Sequence, residues 1–186
     1  FMQALKDNDI DVIGKKMTIA GAGGAATAIE IQAALDGVRE ISVFCRPGKS
    51  TEHARQVINQ LTKQTACKIN LFDYSDESVI KKELLTSRIL TNGTNVGMAP
   101  DTDRSLITSA DFFHPDLIVS DVIYNPRETK LMEIAKSQGC SCFNGLYMLL
   151  YQGAEAFTLW TGKQMPVELV KERYFDEPEA RPRTAQ

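Results

Sequence analysis

The chain has 186 residues, 43% of them hydrophobic and 24% charged, which is the balance of one ordinary globular domain long enough to bury its own core. With 21 basic against 24 acidic residues the net charge is −3, and no run of Lys and Arg forms a stripe, so the electrostatic footprint of a nucleic-acid binder is missing. The apolar runs fall well short of the roughly 20 residues of a membrane span and no basic-then-apolar leader opens the chain, so the expectation is a cytoplasmic protein whose partners include neither nucleic acid nor membrane.

In chain order, FMQALKDN reads as a short opening helix and MTIAG at 17 to 21 as the first strand. A helix over 24 to 36, a strand EISVFC at 40 to 45 and a helix over 51 to 64 follow, with Ser50 or Thr51 as its cap after the Pro47-Gly48 turn. Next come CKINLF at 67 to 72, a helix over 76 to 86 and RILTN at 88 to 92; the stretch from 97 to 110 around Pro100 has no period and is a connection. DLIVSDVI at 116 to 123, a helix over 128 to 138 stopped by Gly139, CSCFN at 140 to 144, and helices over 146 to 160 and 166 to 174 complete the series. Phe157 and Trp160 repeat at helical spacing with Leu149 and Ala156 and are expected in the core.

The strands are continuous apolar runs, which predicts that both their faces are covered. Strand alternating with helix demands parallel pairing, because consecutive parallel strands need long crossovers. With right-handed crossovers the simplest arrangement is α/β, a doubly wound, mostly parallel six-stranded sheet with helices on both faces, the Rossmann arrangement. Ligands of such sheets bind at the carboxyl ends of the strands, which directs attention to 21 to 25, 45 to 50, 92 to 98, 121 to 125 and 144 to 147.

The first of these ends carries the chemistry. Gly21, Gly23 and Ala26 form GxGxxA between a strand and a long helix. The first glycine suits a tight turn, the second lets backbone approach a pyrophosphate, and the small third residue allows close packing. The free N–H groups and dipole of the helix start would hold phosphate charge. Read as structure alone, Gly-Ala-Gly-Gly-Ala-Ala is a flexible turn with tight packing, yet adjacent glycines at a helix start cost about 1 kcal/mol each. A methyltransferase also uses a glycine-rich first turn, so the motif by itself does not choose the ligand.

At the end of the second strand an acidic residue would hold the ribose hydroxyls of NAD. Here the residues are Cys45, Arg46, Pro47, Gly48 and Lys49, and Glu40 lies at the strand's other end. Arg46 and Lys49 would suit a 2′-phosphate, Arg46 would also stack on an adenine, and as plain surface charges both would simply be solvated. NAD and NADP both stay open. The four cysteines, Cys45, Cys67, Cys140 and Cys142, lack CxxC spacing and nearby histidines, so each reads as a small apolar residue at a strand end, and no metal is expected. The sequon Asn92-Gly93-Thr94 carries no weight without a secretory signal.

Taken together and in this order, GAGGAATAI (21 to 29), TNGTNVGMAP (91 to 100), DVIYNPRETKL (121 to 131) and NGLYMLLYQGAEAFTLWTG (144 to 162) resemble the C-terminal half of the shikimate dehydrogenase family. The NGT and TKL stretches look most like its quinate/shikimate dehydrogenase branch. The likeness spans about residues 1 to 175. It implies an NAD(P)-binding domain of an enzyme that reversibly reduces 3-dehydroshikimate to shikimate, with dehydroquinate and quinate as further substrates, in aromatic amino-acid biosynthesis or quinate metabolism.

The resemblance implies that Gly21, Ala22, Gly23, Gly24 and Ala25 hold the pyrophosphate and that Cys45, Arg46, Pro47 and Gly48 border the adenosine ribose. Asn95, Val122, Ile123, Tyr124, Asn125 and Gly145 would line the nicotinamide end. Tyr124 and Gln152 match positions that touch the hydroxylated substrate, and an inward-facing amide at Gln152 would find partners in a polyol. Gly48 matches neither the aspartate of NAD-using relatives nor the basic pattern of NADP-using ones, and Tyr147 stands where glycine is common, placing a ring close to the nicotinamide.

The family's substrate-binding half, with the lysine and aspartate of proton transfer, would precede Phe1. The expectation is a cofactor domain with no catalytic residue of its own, since His53 and His114 have no carboxylate orienter and Lys130 and Lys163 read as exposed. The alternative is a stand-alone nucleotide-binding module without catalysis. The junction surface of a lone domain would be apolar and invites a homodimer. The charged tail from 176 to 186 reads as disordered.

Overall fold

The sheet is built outward from Lys16–Ala20 (β1), whose five side chains are all buried. The computed structural model describes residues 1–175, apart from the side chain of Lys49; the tail from 176 to 186 lies outside the described residues. In chain order the elements are α1 (Met2–Asp7), β1, α2 (Gly24–Leu35), β2 (Glu40–Cys45), α3 (Lys49–Gln64), β3 (Lys68–Asp73), α4 (Glu77–Leu84) and β4 (Ile89–Asn92). There follow a single 3₁₀ turn at Ala110–Phe112, β5 (Ile118–Asp121), α5 (Lys130–Ser137), β6 (Ser141–Phe143), α6 (Leu146–Thr161) and α7 (Val167–Tyr174). Each neighbouring pair of strands is parallel and the order across the sheet is β3-β2-β1-β4-β5-β6. This is the doubly wound α/β arrangement, with the direction of winding reversed between β1 and β4.

Successive side chains of a strand leave opposite faces of a sheet. Met17 and Ile19 of β1, with Ile41, Val43, Ile89 and Ile118, therefore meet Ile29 and Ala33 of α2, Ile58 and Leu61 of α3 and Met2 and Leu5 of α1. On the other face Phe44, Leu90 and Val119 meet Ile80 and Leu84 of α4 and Leu131 and Ala135 of α5. Each such side chain contributes about 1.5–3 kcal/mol when fully buried, so a central strand gains by being apolar on both faces. At the amino end of the sheet the buried Lys16 ammonium lies 2.6 Å from Glu83 Oε2 and 3.8 Å from Glu40 Oε1. Glu83 also accepts a 2.6 Å bond from Ser42 Oγ. The polar girdle there leaves the carboxyl end for ligands.

Three local expectations change. The strand expected over 116 to 123 stops at Asp121, because Asp121 Oδ1 accepts the Ile123 N–H at 3.0 Å and turns the chain out of the sheet. Helix α3 starts at Lys49, earlier than the expected cap at Ser50 or Thr51: Thr51 Oγ1 accepts the Gly48 N–H at 3.1 Å and donates to the Arg46 carbonyl at 3.1 Å. Phe157 and Trp160, expected in the core, are 36% and 84% exposed, and Leu149 is 38% exposed. Leu150 is the buried residue of α6 among those described, so the helix carries an apolar stripe that the described residues do not cover. Helix α7 meets α1 through Lys171, 3.6 Å from Asp7 Oδ2, and Asp7 also accepts from the Tyr151 hydroxyl.

Candidate functional site

Gly21 follows β1 with φ +113, a conformation that favours glycine. A Cβ there would stand 2.9 Å from Thr94 Cγ2 and 3.1 Å from the Gly93 carbonyl, so the turn is pressed against the loop after β4. A Cβ at Gly93 would in turn stand 2.7 Å from Cβ of Ala26, which is why a small residue is needed at the third position of the motif. Gly23 and Gly24 are different: a Cβ on either would meet nothing within 4 Å. They open onto the start of α2, whose first N–H groups receive no side-chain cap. Packing therefore accounts for Gly21, Gly93 and Ala26 but not for Gly23 and Gly24, where the backbone faces open space with its donors free. Those free donors and that space fit a dinucleotide pyrophosphate.

Two clefts meet at Thr94 and Asn95, which line both. The first, of about 210 Å³, runs from Gly21 and Ala22 past Cys45 and Arg46 to Tyr74 and Leu106. The second, of about 420 Å³, is lined by Ala25, Met98, Val122, Ile123, Tyr124 and Asn125 among others. The winding of the sheet thus brings the glycine turn, the end of β2 and the ends of β4 and β5 to one groove. Ser50, Tyr74, Val96 and Leu106 complete the first cleft, and of these Tyr74 and Leu106 fall in no motif. Tyr74 donates to the Leu106 carbonyl at 2.5 Å, and burial pushes its phenol above the ordinary range. Among the described residues lining the clefts the ionisable side chains are Cys45, Arg46, Tyr74 and Tyr124.

Several expected residues lie beside the groove. Pro47 and Gly48 are exposed at the turn before α3 and do not line the first cleft. Gly145 is buried behind the second cleft, where a Cβ would stand 1.9 Å from the Val122 carbonyl; it is a packing position that lets the start of α6 touch the 122–123 turn. Gln152 is exposed on α6 and lines neither cleft. The Tyr147 ring lies against α7, with Lys171 Nζ 5.0 Å from its centroid and the Phe175 ring 6.5 Å away. His53 is exposed on α3, and His114 Nε2 sits 3.3 Å from the Leu84 carbonyl, both remote from the groove lining.

Under the second cleft is a buried polar cluster that sequence reading missed. Asp121, 1% exposed at the end of β5, accepts from Asn92 Nδ2 at 3.1 and 3.0 Å, from the Ile123 N–H at 3.0 Å and from Thr129 Oγ1 at 2.8 Å. Asn92 Oδ1 accepts the Thr94 N–H at 2.9 Å and its hydroxyl at 2.7 Å. Burial pushes the Asp121 carboxyl above its ordinary value, opposed by the bonds from Ile123, Asn92 and Thr129. Every partner is a donor, so the cluster is complete around an ionised carboxylate. The available signal was a polar Asn and Asp, each ending an apolar strand.

The strand order, the open glycine turn and the groove across the β1–β4 reversal define a protein of the dinucleotide-binding, doubly wound class. The family model of the shikimate 5′-dehydrogenase C-terminal domain matches residues 145–173. A shikimate dehydrogenase (NADP(+)) of Listeria monocytogenes is 53% identical over 175 residues, covering 94% of this chain and 60% of that protein. A quinate/shikimate dehydrogenase of Escherichia coli is 42% identical over 171 residues, covering 92% and 59%. The crystal structure of shikimate 5-dehydrogenase from Listeria monocytogenes in complex with shikimate and NAD superposes with a TM-score of 0.87 at 54% identity, covering 92% of this chain and 59% of that one. Over more than nine tenths of its length the chain is similar to proteins of the shikimate dehydrogenase family. It spans about 60% of the length of the curated relatives it matches. Among the described residues no helix is long and apolar enough to cross a membrane.

Proposed function

We propose that this chain binds NAD(P) along the two joined clefts and is the cofactor-carrying part of an enzyme that reversibly reduces 3-dehydroshikimate to shikimate, with dehydroquinate and quinate as the related pair. The observation that carries the reading is the uncapped start of α2, with open space at Gly23 and Gly24, which line neither cleft themselves but stand between Ala22 of the first and Ala25 of the second. In this reading Gly21 to Ala25 hold the pyrophosphate, Cys45 and Arg46 border the ribose, and Asn95, Val122, Ile123, Tyr124 and Asn125 flank the nicotinamide. The bound nicotinamide supplies hydride transfer. The chain's residues orient it, and Tyr124, 47% exposed at the mouth, is placed to meet the substrate.

At the adenosine end no carboxylate among the described residues lines the cleft to accept a ribose hydroxyl, and Glu40 is engaged at the opposite end of β2 with Lys16 and Lys68. The exposed Arg46 guanidinium favours a 2′-phosphate there, so NADP is read as the preferred cofactor. Among the described residues the groove holds no general acid with an orienting partner, and this reading assigns proton transfer to the family's substrate-binding half. Localisation in the cytoplasm and pairing of two copies through the exposed stripe of α6 belong to the same proposal.

Calorimetric titration of the purified chain with NADP, NAD and S-adenosylmethionine tests the reading. Binding of the two dinucleotides and not of the methyl donor is expected, with no turnover of shikimate or quinate by the 186-residue chain. Binding of S-adenosylmethionine alone would overturn it.

A further inference from the structure

The Asp121 cluster holds no part of the groove surface, yet it is the point at which the two loops of the second cleft are tied together. Its Oδ1 takes the Ile123 N–H, which sets the turn carrying Val122, Ile123 and Tyr124 away from the sheet. Both its oxygens take Asn92 Nδ2, which also reaches the Val96 carbonyl at 3.3 Å. Thr129 closes the cluster at the start of α5, giving its hydroxyl to Oδ2 while accepting the Met132 N–H at 3.4 Å. A Cβ at Gly97 would stand 3.7 Å from Thr129 Cβ, so the loop after β4 also rests on this threonine. The two loops meet again directly where the Ala99 N–H donates to the Asn125 carbonyl at 3.3 Å.

We infer that Asp121 is a positioning residue for the nicotinamide end of the cofactor: with Asn92 and Thr129 it fixes the relative placement of loops 93–99 and 122–125, and so the shape of the second cleft. The inference rests on the dinucleotide reading of that groove. The first cleft depends on Asp121 less. Its Thr94 is held by Asn92 Oδ1, and its Arg46 and Tyr74 come from the segments just after β2 and β3, whereas the hydrogen bonds of Asp121 go to Asn92, Ile123 and Thr129. A carboxylate is required because its partners are an amide N–H₂, a backbone N–H and a hydroxyl, and an amide in its place would set N–H₂ against a donor. A change at Asp121 should be felt at one end of the cofactor and not at the other.

The test compares NADPH with 2′-phospho-ADP-ribose, which lacks the nicotinamide, on the wild-type chain and on Asp121→Asn. Loss of one or two buried hydrogen bonds predicts that NADPH affinity falls roughly tenfold and that the fluorescence enhancement of the bound dihydronicotinamide is reduced. Affinity for 2′-phospho-ADP-ribose should stay within about twofold. Equal loss for both ligands, or no loss for either, would overturn the inference. If Asp121→Asn does not fold, Thr129→Val takes its place with the same two outcomes; Thr129→Ser, which keeps the hydroxyl, must restore the wild-type pattern. A wild-type chain that binds neither ligand would instead sink the dinucleotide reading itself.

Discussion

Gly93 and Ala26 touch so closely that a Cβ built on the glycine would stand 2.7 Å from that of the alanine. The loop after β4 and the first turn of α2 are thereby locked together, and the glycine turn is held from behind. Gly93→Ala is expected to lower stability by about 2 kcal/mol through overpacking, read as a reduced urea midpoint. Gly23→Ala, at φ −85 and with nothing within 4 Å, should leave the midpoint unchanged and weaken NADP binding. Equal stability of the two variants would contradict the division of roles between them.

Glu30 is 2% exposed on α2, its Oε1 has no hydrogen-bond partner, and burial pushes its carboxyl up from 4.5 to about 7. Between those values the folded chain keeps a proton that the unfolded chain has released. This group's contribution to stability is therefore greatest below about pH 4.5, declines as pH rises to about 7 and is flat above. Glu30→Gln should gain on the order of 2–3 kcal/mol over wild type at pH 8 and little at pH 4.5. Urea melts at both pH values measure it, and a gain that does not change with pH would refute the assignment.

Lys16 and Glu83 form the opposite case. Burial alone would raise the Glu83 carboxyl, but hydrogen bonds from Lys16 and Ser42 hold it below the ordinary value. Its contribution is present above the ordinary carboxylate range and is lost as pH falls through the lowered folded value. Glu83→Gln leaves the Lys16 ammonium, 7% exposed, with the Thr86 hydroxyl at 2.9 Å and the more distant Glu40 as its remaining carboxylate, and is expected to cost about 3 kcal/mol at pH 7. Thermal melts that match wild type would show that the pair is dispensable.

Trp160 is 84% exposed, so Trp160→Ala in this chain should change stability by no more than about 0.5 kcal/mol. A loss of several kcal/mol, typical of a buried tryptophan, would place it in a core after all.

Arg46 stands alone as a cation among the described residues lining the first cleft. Arg46→Ala is expected to weaken NADP roughly tenfold while changing NAD by less than about twofold. Parallel titrations with both nucleotides decide it; an equal change for the two would assign Arg46 to the adenine or to the surface.

Much of this architecture was legible because it is local. EISVFC at 40–45 became β2 without adjustment, and Gly139, with φ +82, ends α5 as its sequence position suggests. The end of β5 was misread because apolarity continues through Val122 and Ile123, while the turn is made by the Asp121 side chain. Trp160 was misread for a related reason: helical spacing reveals an apolar stripe but not what lies opposite it.

The alternation of strands and helices, the glycine turn and the family resemblance were determined by the sequence alone, since periodicity, turn chemistry and motif order are properties of neighbouring residues. Tertiary structure alone decided which glycines are there for packing and which leave space. It also decided that Gly145 supports the groove from behind, that Tyr74 and Leu106 close one end of it, and that Asn92, Asp121 and Thr129 share a buried cluster. Each of these depends on contacts between residues far apart in the chain, created only when parallel pairing brings the ends of β1, β2, β4 and β5 to one edge.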